Sequence, residues 1–142
     1  MPIVTILDLL GRPRIAGQAP NPIAMALAVR RGLPWRTFEA LVSALAITQA
    51  ELAAKLHIHS RTLARRKAAG RLEAMESDRA FRLARILAHA VEVFESIERA
   101  RDWLKSENRA LDGQPPFELL DTDAGAQEVD DVLGRIEHGI FS

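Results

Sequence analysis

Five residues within one short stretch, Ser60, Arg61, Arg65, Arg66 and Lys67, carry donors suited to the same task. A guanidinium forks onto guanine edges or phosphate oxygens, and hydroxyl and ammonium groups serve phosphates as well. Arg61 and Arg65 are four apart, so on a helix they share a face. Gln49, next to Thr48, opens the preceding segment, at a place where a side chain can touch a phosphate in a two-helix DNA reader. This pattern points to nucleic acid, and its bland alternative is a solvated basic face.

Other constellations point to less. His57 and His59 form an H-x-H pair with no carboxylate nearby at ligand spacing, so no metal is expected. Asp121 and Asp123 sit where a helix begins, and acidic groups are favoured there electrostatically. Asp130 and Asp131 are adjacent and diverge by about 100° on a helix, so they do not make a catalytic pair. The chain has no cysteine, which removes disulfides, thiol nucleophiles and cysteine-bound zinc. It has no glycine-rich phosphate loop and no serine in a nucleophile elbow. Neither an enzyme nor a cofactor is expected.

The elements that must position these groups read as helical throughout. Alanine and leucine dominate the 142 residues, and both are strong helix formers. An all-α fold is therefore expected. Residues 1–30 read as an extension: a short apolar element, a loop rich in glycine and proline, then a helix capped by Asn21 with Pro22 at its first position. Gly32 and Pro34 end that helix, and another runs from Trp35 to Ala46 with Phe38, Leu41, Val42 and Leu45 at helical spacing. Thr48 and Glu51 fit a capping box. The helix they open reaches Leu56, a turn covers 57–59, and a second helix runs from Ser60 to Gly70. This is a helix-turn-helix pattern: Ala53 is small where the helices cross, and Leu52, Leu56, Ile58 and Leu63 face inward. Two residues depart from it. His57 stands where glycine usually supplies a positive φ, and Arg66 stands where an apolar group is usually buried.

A longer helix is expected from Glu76 or Ser77 to Phe94, another from Ser96 to Lys105, a loop over 108–117, a turn from Pro116 to Leu120, and a last helix from Thr122 to Glu137 stopped by Gly139. Val129, Leu133, Ile136 and Ile140 form one stripe of that last helix. Trp103 reads as core. The boundaries drawn from these features are 1–30, 31–75 for the helix-turn-helix region, and 76–142 for a small helical domain. No uncharged run is apolar enough to cross a bilayer, and residues 1–14 lack the basic start of a secretory signal, so a cytoplasmic protein is expected.

A formal net charge of zero argues against a nucleic-acid partner only until it is divided along the chain. Residues 30–85 hold 12 basic and 5 acidic groups, net +7. Residues 86–142 hold 5 basic and 13 acidic, net −8, and residues 1–29 are net +1. The basic excess coincides with the helix-turn-helix pattern.

The acidic end carries a more specific signal. Trp103-Leu104, Asn108, Ala110-Leu111, Gly113, Pro116, Leu119-Leu120, Thr122, Gly125, Val129, Leu133 and Gly139 occur in an order that resembles the toxin-binding domain of antitoxins of the Xre/MbcA/ParS family. Residues 32–45 and 62–87 resemble the DNA-binding half of the same antitoxins. The resemblance covers about residues 30–142. It implies a partner toxin with a RES domain, an enzyme that depletes NAD, whose active site the antitoxin's C-terminal region obstructs. It also implies binding to the promoter of its own operon, and a homodimer. On that reading Asp131, Arg135, Glu137, His138 and the tail Ile140, Phe141 and Ser142 face the toxin, with Ile140 and Phe141 as apolar anchors. Two other readings stay open from the residues alone: a stand-alone regulator whose C-terminal half senses a ligand, and an interaction module that does not bind DNA.

Overall fold

Asn21 accepts a hydrogen bond from the Ala24 amide at 2.8 Å, and helix α2 (Pro22–Arg31) starts there, with proline where no amide is needed. The computed structural model describes residues 3–13 and 21–139, and every regular element in it is helical, as the composition predicts. In order they are α1 (Ile3–Leu9), α2, α3 (Trp35–Leu45), α4 (Gln49–Lys55), α5 (Ser60–Ala69), α6 (Ala74–Phe94), α7 (Ile97–Lys105), 3₁₀ turns at Arg109–Leu111 and Pro116–Leu119, and α8 (Asp123–Glu137). The only extended pairing among the described residues is an isolated bridge between Pro34 and Arg71.

The chain forms two compact units, 1–84 and 85–142, and the division falls inside α6. The boundary read from the sequence lay earlier, between 75 and 76. Residues 1–84 hold 13 basic and 6 acidic groups, and residues 85–142 hold 6 and 13, so the units carry +7 and −7.

In the first unit the reading of residues 1–30 as an extension is corrected for their described part. Ile6, Leu7 and Leu10 are buried, and Thr37 Oγ1 donates to the Leu10 carbonyl at 2.8 Å. Phe38, Leu41 and Leu45 of α3 are fully buried at helical spacing. Helix α3 ends one residue before the expected Ala46, which takes a left-handed conformation as its cap. The capping box forms in full: Thr48 Oγ1 accepts from the Glu51 amide at 3.1 Å, and Glu51 Oε1 accepts from the Thr48 amide at 3.0 Å. His57 takes φ 59°, the role the sequence assigned to it. A side chain there costs about 1–2 kcal/mol relative to glycine. The burial of Leu52, Ala53, Leu56 and Ile58 around the turn offsets this.

Helix α6 begins at Ala74, two or three residues earlier than expected. Glu76 Oε1 accepts from the Glu73 amide at 2.9 Å and so satisfies an orphan donor at the helix start. Ser77, fully buried, accepts from the Leu33 amide at 2.7 Å, and the Leu72 amide donates to the Leu33 carbonyl at 2.8 Å.

The second unit packs the latter part of α6 with α7, both 3₁₀ turns and α8. Ser96, Asn108 and Thr122 cap their elements through side-chain oxygens that accept backbone amides at 3.2, 3.0 and 3.0 Å. The expected stripe of α8 is present in part: Val129 and Leu133 are fully buried with Val132, Ile136 is half-buried, and Ile140 lies outside the described residues. Trp103 is half-buried rather than core, with its ring 5.5 Å from that of Phe94. Gly125, in the first turn of α8, is fixed by sterics, because a Cβ there would lie 1.9 Å from the Leu119 carbonyl oxygen. Gly125→Ala should therefore destabilise the second unit by about 1–3 kcal/mol, read as a lower midpoint in urea or thermal unfolding.

Candidate functional site

Helix α5 buries none of its residues. Ser60, Arg61, Arg65 and Lys67 are exposed, as is Gln49 at the start of α4. His59 caps α5 by accepting the Arg61 amide at its Nδ1, 3.2 Å away. Among the described residues no group of three His, Asp or Glu side chains could hold a metal ion.

Ser60, Ala64 and Lys67 share one face of α5 and, with Leu63, Gln49 and Trp35, line a cleft of about 270 Å³. Trp35 is buried and stacked on Phe38 at 4.5 Å, and its indole N–H has no acceptor. Arg61 and Arg65 lie about 100° further round the helix. The exposed side of α5 therefore combines cations and neutral donors, and no carboxylate lies between Glu51 and Glu73 in sequence.

Arg66 is different. Its side chain is 14% exposed, its Nε lies 2.8 Å from Glu76 Oε1, and its Nη2 lies 3.3 Å from Glu73. The departure noticed in the sequence, a cation at a position that usually buries an apolar group, is thus a partly buried ion pair. Its Nε and Nη2 are engaged by carboxylates at and just before the start of α6, which sets it apart from the exposed cations of α5.

On α8 the residues read as toxin-facing separate into three groups. Asp131, Arg135 and His138 are exposed and fall at i, i+4 and i+7 on one face. Asp131 accepts from Gln127 Nε2 at 2.9 Å. Glu137 turns to another side, where its carboxylate lies 3.2 Å from His89 Nε2. Ile140, Phe141 and Ser142 lie outside the described residues, and so does the tail they form.

His89 is the group that reading the sequence missed. Its ring stands between two carboxylates, with Nδ1 2.7 Å from Asp130 and Nε2 3.2 Å from Glu137. Both contacts are hydrogen bonds to anions only if both nitrogens carry protons, so the geometry favours imidazolium. Burial alone pulls the pKa down, but the hydrogen bonds and charges of Asp130 and Glu137 outweigh it, and the net direction is upward. The seven-residue spacing of the two acids on α8 was visible, but not their partner on α6.

Set beside known proteins, the two units have separate counterparts. Residues 24–85 match the antitoxin Xre-like helix-turn-helix domain. Residues 89–139 match the antitoxin Xre/MbcA/ParS C-terminal toxin-binding domain. The two matches are to the DNA-binding and toxin-binding halves of one class of protein, the Xre-type antitoxins. Among curated relatives, the antitoxin Xre of Yersinia enterocolitica is 39% identical over 98 residues, 68% of this chain and 66% of its own. That of Photorhabdus laumondii is 42% identical over 74 residues, 51% of this chain and 50% of its own. That of Pseudomonas putida is 38% identical over 64 residues, 45% of this chain and 40% of its own. The matched stretch spans under two thirds of each relative's length. The chain belongs to the Xre/MbcA/ParS antitoxin family. Among the described residues no helix is long and apolar enough to cross a membrane.

The raised pKa of His89 has a sign that can be checked. Stability contributed by His89 is full below its ordinary value of 6.5 and fades as the pH rises through the higher folded value. The melting temperature should fall from pH 6 into the mildly alkaline range, and His89→Gln should flatten that dependence.

Proposed function

We propose that this chain neutralises a cognate RES-domain toxin that depletes NAD, and represses its own operon by binding the promoter. The observation that carries the reading is the tandem match to an Xre-like helix-turn-helix domain and a toxin-binding domain, on units of opposite charge. Helix α5 lies in the major groove with Arg61 and Arg65 toward base edges. Gln49, Ser60 and Lys67 hold the flanking backbone. The acidic face and tail of α8 dock on the toxin, with Asp131, Arg135, Glu137 and His138 forming the polar contacts. Ile140 and Phe141 enter the toxin's active site as apolar anchors, and Ser142 ends the inserted tail. The protein acts in the cytoplasm as a homodimer, which suits paired half-sites on DNA.

Mobility shifts on the native promoter fragment test the DNA half. Arg61→Ala or Arg65→Ala should weaken promoter binding by about 1–3 kcal/mol and leave toxin neutralisation intact. Arg66→Ala should instead lower the melting temperature. Equal promoter affinity in all variants would remove α5 from its role.

Co-expression with a RES-domain toxin from the same operon, the partner this reading requires, tests the other half. Truncation after Gly139 should abolish growth rescue while co-purification weakens. Full rescue by the truncated chain would exclude tail insertion.

A further inference from the structure

A second basic cleft, of about 210 Å³, lies where the end of α2, the start of α3 and the residue after Gly70 come together. Three arginines line it, Arg31, Arg36 and Arg71, and no lining residue is acidic. The sequence prepares this asymmetry. Residues 9–38 contain five arginines and no acid, and residues 52–72 contain six basic groups and no acid. The first stretch supplies Arg31 and Arg36, the second Arg71.

Two of the three groups are fixed by the chain itself. Arg36 donates through Nε to the Gly11 carbonyl at 3.1 Å and through Nη2 to the Arg12 carbonyl at 2.9 Å. Arg71 Nη1 donates to the Gly32 carbonyl at 2.5 Å. Each keeps N–H donors beyond these bonds. Arg31 accepts from Arg71 Nη1 at its carbonyl, 3.5 Å away, while its side chain is exposed and has no hydrogen bond or ion pair among the described residues. Pro34, which also lines the cleft, caps α3 without a side-chain hydrogen bond, so the positive end of the α3 dipole adds to the same potential. Like charges in one cleft with no acidic residue in its lining suit an anion with several acceptor oxygens, and a phosphate group has that chemistry.

The position identifies the source of the phosphate. Gly70 ends α5, its carbonyl accepts from the Trp35 amide at 2.9 Å, and Arg71 follows directly. The cleft therefore adjoins the C-terminal end of the helix assigned to the major groove, where a duplex presents its sugar-phosphate backbone. We infer that this cleft holds a backbone phosphate of that duplex and fixes how deep and at what angle α5 enters the groove. The inference rests on the DNA-binding reading given above.

The full chain is titrated with a duplex from its own promoter and with an unrelated duplex of equal length, over a range of salt. Arg31→Ala and Arg31→Gln should weaken both duplexes by the same factor. They should also reduce the slope of log affinity against log salt by about 0.9, the value for one phosphate. Arg31→Lys should restore the slope, because it keeps the charge. Arg61→Ala serves as the control and should lose the preference for the promoter duplex. An unchanged slope in the Arg31 variants, with that preference lost in Arg61→Ala, overturns the cleft and leaves the DNA reading standing. No effect in any variant removes the DNA reading and the cleft with it. Inorganic phosphate that raises the melting temperature of the wild type but not of Arg31→Ala, with the duplex slope unchanged, makes this a free-phosphate site and overturns the duplex assignment.

Discussion

The first unit depends on how a helix with no buried residue is held in place. Apolar burial cannot do it, since Leu63 and Thr62 of α5 are only half-buried. The Arg66–Glu76 pair supplies a direct attachment. Both side chains are largely out of solvent, and a charge in such a place is destabilising once stripped of its partner. Glu76 also completes the start of α6, and Ser77 beside it accepts the Leu33 amide. One short stretch thus joins the exposed helix, the head of α6 and the link between α2 and α3. Leaving α5 uncovered keeps its other cations and donors available, and the pair compensates for the packing that α5 gives up.

The separation of charge has a related logic. A chain with +7 on one unit and −7 on the other gains long-range attraction for polyanions at one and for basic surfaces at the other. Neutrality of the whole therefore says little about partners. It also gives each unit its own dependence on ionic strength, because surface charges are screened within about 10 Å at moderate salt.

What could be read in the sequence was mostly local. The Asn21 cap, the Thr48–Glu51 box, the left-handed His57 and the stop at Gly70 each rest on residues within four positions, and each appears in the structure. The early start of α6 was missed because Glu76, counted there as the first helical residue, reaches back to the Glu73 amide. The type of Arg66 suits both DNA and a carboxylate, and only the fold brings Glu76 to it. His89 lies 41 residues from Asp130 and 48 from Glu137, so no local pattern joins them. Gly125 stood out as part of a family motif, but its cause, the Leu119 carbonyl against α8, is purely steric.

The division of the molecule inside α6 has a consequence for how the protein can be taken apart. Most two-part chains offer a hinge or a loose connector where a protease, an insertion or a recombination event can act with little loss. Here Leu83 and Ala84 sit in the core of one unit, while Ile86 and Leu87 sit in the core of the next, on consecutive turns of unbroken helix. No peptide bond between them can be presented in extended form without withdrawing buried leucines on both sides. The two units are therefore tied as a single inheritable piece, and a degradative enzyme that unwinds one end of α6 draws on the buried residues of both.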